Sequence, residues 1–140
     1  MNSRHNEGAW LKIQTNRKLS ARRQIHAAIR HLSAGDYECA VTLSLAAEDQ
    51  LPDSERLYLW NVLKQKIPDN ASRDVLNELR NWLKHWNGPD GREISEFEVA
   101  IALNRATSKY FAAFGEKSDE IDAFINWCVS KGVLARPSES

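Results

Sequence analysis

The side chains best able to do chemistry together lie in one stretch, Asn70–Gly91, NASRDVLNELRNWLKHWNGPDG. Val75, Leu76, Leu79, Trp82, Leu83 and Trp86 recur there at helical spacing and form an apolar stripe. With Leu79 as the stripe centre and about 100° per residue, Arg80 falls at roughly +100° and His85 at roughly −120°. Asn81 and Lys84 fall between them, away from the core. His85 carries an imidazole that titrates near neutral pH and can serve as base or acid. Arg80 can brace a phosphate with two parallel N–H bonds. Asn81 sits four residues before His85, a spacing that allows a hydrogen bond to orient the ring. Lys84 adds a second cation for an anionic substrate. The alternative for the same residues is structural, because Lys84 and His85 near a helix C-terminus favourably meet its dipole.

Other familiar chemistries are missing. There is no Gly-rich phosphate loop, HExxH, CxxC or GxSxG. The four histidines and two cysteines never cluster at ligand spacing, so neither a metal nor a cofactor is expected. Glu48-Asp49 and Asp119-Glu120 are adjacent pairs whose members point different ways on a helix. Glu48 follows an apolar run and reads as a hydrogen-bonded polar residue where helices pack. His26 and His31 suit solvated or interface positions better than metal binding. Cys39 and Cys128 read as reduced core residues.

A series of helices must position these groups. Ala21, Ile25, Ala28, Ile29 and Leu32 predict a first helix with Ser20 as N-cap and Gly35 as terminator. Asp36 is placed to cap a second helix, Tyr37 to about Gln50. Its run Cys39–Ala47 is apolar or small nearly all round, as suits the centre of a bundle. Leu57, Trp60, Leu63 and Ile67 predict a third helix over 53–66. The helix carrying Arg80 and His85 follows, capped by Asp69 or Asn70 and ended by Gly88-Pro89-Asp90-Gly91. Ser95 and Glu98 have capping-box spacing and open a fifth helix to about Ala113. Phe97, Ala100, Ile101, Asn104 and Thr107 line one side of it, and Leu103, Ala106 and Tyr110 another. A sixth runs from about Asp119 to Ser130, with Ile121, Phe124, Ile125, Cys128 and Val129 inward. No strand pattern is visible. The expected fold is all-α, a helical bundle of four main helices with one or two accessory ones. Residues 1–18 are expected as an N-terminal arm, 19–135 as a single domain, and 136–140 as a frayed tail.

Composition fits such a domain. The 140 residues are 42% hydrophobic and 27% charged. No apolar run approaches the roughly 20 residues of a membrane span, and no secretory h-region is visible, so a cytoplasmic protein with no membrane role is expected. Net charge is zero but unevenly spread: residues 1–34 hold seven Lys/Arg and one acid, Glu7. That basic third is either an anion-binding face or a solvated helix surface balancing acids elsewhere.

The Arg-x4-His spacing of Arg80 and His85, with Asn81 directly after the arginine, resembles the signature of the HEPN superfamily. HLSAGDYECAVTLSLAAEDQL is similar to the second-helix segment of such proteins, and NWLKHWNGPDG is similar to the Asn-x-x-Lys-His and acidic turn of some HEPN-like families. The resemblance covers residues 19–130. It implies an all-α domain, and for many members a metal-independent endoribonuclease of toxin–antitoxin or defence systems. It assigns Arg80, Asn81 and His85 to catalysis and leaves Lys84 for substrate binding. RNA cleavage by its own 2′-hydroxyl needs a base, an acid and a cation at the phosphorane. One histidine per chain falls short by one, so the resemblance implies a homodimer with a composite site. The partners it implies are RNA and an antitoxin or nucleotidyltransferase. The other expectation is a non-catalytic helical module for dimerisation or protein interaction.

Overall fold

The computed structural model describes residues 8–52, 69–86 and 88–134. They are all-α: α1 (Arg17–Ala34), α2 (Tyr37–Gln50), α3 (Asp69–Lys84), α4 (Glu96–Phe114) and α5 (Asp119–Ser130), with no strand among them. The helix expected over 53–66, with Leu57, Trp60, Leu63 and Ile67, lies outside the described residues. No helix among those described is long and apolar enough to cross a membrane.

α1 begins a turn earlier than its apolar spacing suggests. Asn16, not Ser20, is the N-cap: its backbone is extended and its side chain accepts from the Leu19 N–H at 2.8 Å. Ser20 already lies inside, donating its N–H to the Asn16 carbonyl. The helix therefore starts at Arg17, inside the residues 1–18 expected as the arm. Gly35 closes α1 at φ 84°, where a side chain would be strained, and the N–H groups of Gly35 and Asp36 return to Leu32 and His31. Asp36 occupies the N-cap position of α2 but makes no side-chain cap bond there. Its carboxylate instead faces His31 Nδ1 at 3.4 Å.

α2 buries Ala40, Val41, Ser44, Leu45, Ala47 and Glu48. Cys39 is exposed, contrary to the core role expected for it. At about 100° per residue it points roughly 150° away from the middle of that buried face. Cys128 on α5 is buried as expected, and burial pushes its thiol up to about 12.

α4 is central among the described helices, packed against each of the other four. Its start is the expected capping box, with Glu98 N–H on Ser95 Oγ at 3.1 Å and Ser95 N–H on Glu98 Oε1 at 2.8 Å. From Val99 to Asn104 every residue is buried, and Ala106, Thr107, Ser108 and Tyr110 continue the burial. Two apolar faces in sequence thus become contact with two layers of helices. Phe97, expected inward, is 44% exposed because it precedes the turn where that burial begins. α5 buries Ile121, Phe124 and Cys128, with Ile125 and Val129 half-buried.

α3 packs Leu76 and Leu79 into the same core, with Leu83 half-buried beside them. The helix ends at Lys84, four residues before Gly88. Trp86 is therefore off the helix and 95% exposed, rather than the last residue of the stripe.

Candidate functional site

The C-terminal end of α3 is anchored from below by Leu79 and Leu83 and from the side by Trp82. The Trp82 indole N–H donates to the Pro89 carbonyl at 2.8 Å, tying the helix end to the turn that follows. Trp82 also forms a wall shared by two shallow clefts. One, of about 310 Å³, is lined by His85, Trp86, Leu83 and Asp90 together with Gly88 and Pro89. The other, of about 500 Å³, is lined by Asn81, Glu78, Arg92 and Glu93.

The four candidate residues do not form one cluster. His85 is exposed in the first cleft and Asn81 is exposed beside the second. The two share a backbone bond, His85 N–H to the Asn81 carbonyl at 3.0 Å, which is helical. Among the described residues no side-chain bond links them, so the amide does not orient the ring. Lys84 is exposed and carries no ion pair among the described residues.

Arg80 is turned the other way. Its guanidinium donates to Asn77 Oδ1 at 2.9 Å and reaches Asp49 Oδ1 on α2 at 3.4 Å. Its side chain is 24% exposed, and Nε is buried without a partner among the described residues. The expectation that Arg80 shares the outward face thus needs correction. His85 lies five positions after Arg80, about 140° around the helix, and the long arginine side chain takes the interhelical route to a carboxylate.

Two polar arrangements elsewhere were not visible as such in the sequence. Glu48, only 5% exposed, accepts from Arg105 Nε at 3.0 Å and faces the Arg105 Nη2 at 2.9 Å and Lys109 Nζ at 3.4 Å. This is the hydrogen-bonded packing role expected for it, now with its partners on α4. Nothing in the spacing of residues 48, 105 and 109 announces the cluster, since the helix pair that joins them is a tertiary feature. The second joins α1 to α5. His26 Nε2 lies 2.7 Å from Ser118 Oγ, and Nδ1 faces Glu120 Oε1 at 3.6 Å, with Arg30 on the other carboxylate oxygen at 3.0 Å. Burial lowers the His26 pKa, Glu120 opposes that shift, and Arg22 and Arg30 reinforce it. Ser118 also caps α5, accepting from the Ile121 N–H at 3.2 Å. These contacts are satisfied together when neutral His26 accepts the Ser118 proton and turns its own N–H toward Glu120. The residue types are those of a nucleophile, a base and an acid, but here the hydroxyl serves as a helix cap and the set locks α1 to α5.

No group of three His, Cys, Asp or Glu side chains among the described residues could hold a metal ion. Comparison of the chain with protein-family models, curated proteins and solved structures finds no match.

Proposed function

We propose that this chain is a HEPN-like protein working as a homodimer through the C-terminal end of α3, where His85 serves a metal-independent endoribonuclease. The observation that carries the reading is the combination at that helix end. An exposed His85, without a side-chain partner among the described residues, lines a cleft beside Trp86, which is 95% exposed. A large aromatic in that position suits contact with a second copy.

In this reading His85 takes the proton of the RNA 2′-hydroxyl as the oxygen attacks the adjacent phosphorus. The bond from phosphorus to the 5′-oxygen breaks, and a second His85, from the other copy, gives that oxygen a proton. The products are a 2′,3′-cyclic phosphate and a 5′-hydroxyl. Lys84, exposed and without an ion pair among the described residues, meets the phosphate. Arg80 joins only if its guanidinium leaves Asp49, an exchange that an anionic substrate favours. A toxin–antitoxin or defence setting, with an antitoxin or nucleotidyltransferase partner, belongs to the same proposal.

The test is purified protein with RNA in EDTA, with end-group analysis of the products and sedimentation to give the oligomeric state. Cyclic phosphate ends that vanish in His85→Ala support the reading. Intact RNA at high protein concentration refutes it. The second reading is a non-catalytic dimerisation or interaction module. It is favoured by the engagement of Arg80 with Asp49 and Asn77, which gives the arginine a structural role. That reading expects Trp86→Ala to disrupt assembly and His85→Ala to leave function intact.

A further inference from the structure

The strongest feature not used above is the N-terminal quarter of the described chain. From Gly8 to Ala34 there are six Lys/Arg residues and no Asp or Glu. Two of the six are paired: Lys18 with Glu116 at 2.5 Å and Arg30 with Glu120 at 3.0 Å. Lys12, Arg17, Arg22 and Arg23 are exposed and make no ion pair among the described residues, though Arg22 lies near enough to Glu116 to help lower its pKa. Arg22, Arg23 and Arg30 fall within about 100° of one another on the side of α1 away from Ala21, Ile25 and Ala28. Arg17, exposed at the first position of α1, lies about 140° around the helix from Arg22, and Lys12 is exposed in the arm before it.

Helix stability does not account for this placement. Cations near a helix N-terminus oppose its dipole, and acids there support it. α1 has Arg17 and Lys18 in its first turn and no acid, while its last turn holds only His31. α5 shows the ordinary solution, with Asp119, Glu120 and Asp122 in its first turn. The basic run in α1 therefore costs the helix a little, and a bound anion would offset that cost.

The arm in front of α1 adds a second kind of contact. Residues 9–16 carry no regular structure, and Trp10 is 88% exposed. An exposed indole in a segment that also carries Lys12 and leads into Arg17 is the combination used on single strands, where bases stack on aromatic rings while cations follow the phosphates. A lipid surface fits less well. The arm's backbone groups have no helix or sheet to satisfy them, and burying them in hydrocarbon is costly. Phe114 is less available, because the Lys18 ammonium already sits 5.3 Å over its ring.

We propose that the arm and the outward face of α1 form a docking surface for single-stranded RNA, with Trp10 stacking on a base and Lys12, Arg17, Arg22 and Arg23 holding phosphates. The choice of RNA over DNA rests on the nuclease reading above; the surface itself stands on charge and exposure.

The test uses full-length His85→Ala protein, so that RNA stays intact, and a fluorescent RNA of about 12 nucleotides, within the usual range of single-strand sites. Anisotropy is followed from 50 to 200 mM salt. Four phosphate contacts give a log–log slope of about −2.8, an affinity loss of about 50-fold over that range. The quadruple variant Lys12→Gln, Arg17→Gln, Arg22→Gln, Arg23→Gln changes only exposed side chains; with its helix content checked by circular dichroism, it flattens the slope. Trp10→Ala weakens binding roughly 5- to 150-fold. Unchanged RNA binding in the quadruple variant overturns the proposal. So does equal binding to polyglutamate, which marks a protein-type acidic partner, or binding to phosphatidylserine vesicles without binding to RNA. The two readings separate cleanly. If the wild-type chain cleaves RNA but the quadruple variant binds it equally well, the nuclease reading stands and this surface falls. A steep, variant-sensitive slope without cleavage does the reverse.

Discussion

Replacing Glu48 by alanine tests the packing that holds α2 against α4. The carboxylate is only 6% exposed and lies 2.9–3.4 Å from Arg105 and Lys109, whose side chains are 15% and 13% exposed. Alanine removes the anion that both largely buried cations share, while Arg105 and Lys109 each keep a further interaction. Breaking a buried ion pair by deleting one partner costs about 3–5 kcal/mol. For a chain of this size each kcal/mol is worth roughly 4 °C in Tm, so Glu48→Ala should lower Tm by up to about 12–20 °C, less in proportion to what the cations' further interactions compensate. Glu48→Gln keeps the shape and an acceptor but loses the charge, and should fall between the two. Thermal unfolding followed by circular dichroism at fixed pH and salt reads both. A Glu48→Ala shift under about 4 °C would refute the reasoning, because it would mean that the cluster contributes no more than an exposed pair. The loss should also survive high salt, since buried pairs are screened weakly.

Further outcomes follow from other contacts. His26 has a folded-state pKa below its ordinary 6.5, mainly through burial. Its contribution to stability is therefore full above pH 6.5 and is lost as pH falls from there toward the lower folded value. Urea unfolding of wild-type and His26→Gln protein between pH 7.5 and 5.5 should show the wild type losing more stability on acidification; parallel curves would count against the lock. Cys39 is exposed and Cys128 buried, so Ellman's reagent should titrate one thiol in the native protein and two in denaturant. Ser95→Ala removes half of the capping box of α4 and should cost about 1 kcal/mol by chemical denaturation.

Features written in local chemistry were legible in the sequence. The Ser95–Glu98 box, the Gly35 stop and the inward face of α5 depend on residues a few positions apart, and the structure has them as expected. The burial of Glu48 followed from the apolar run before it, although its partners did not. Apolar spacing places the start of α1 too late because Arg17 and Lys18 give no apolar signal, and Asn16 and Ser20 are both good caps. The stripe through Trp86 continued in periodicity after the helix had ended, since the spacing carries no information about where the chain turns. At the candidate site, helical angle gave the direction of each Cβ but not the path of a long side chain. Arg80 starts on the flank of α3 and finds Asp49, a residue 31 positions earlier that only the packing of α2 brings near.

The reading of His85 as the acid–base group of a dimeric ribonuclease meets its most direct test in single-turnover cleavage of RNA in EDTA. Wild-type protein and an equimolar mixture of wild type and His85→Ala, equilibrated to exchange subunits, are compared at equal total concentration. A site that needs both histidines predicts 2′,3′-cyclic phosphate ends from the wild type, none from His85→Ala alone, and about a quarter of the wild-type rate from the mixture, the fraction of dimers with two intact chains under random exchange. Cleavage that persists in His85→Ala, or a mixture retaining half the rate, would contradict it.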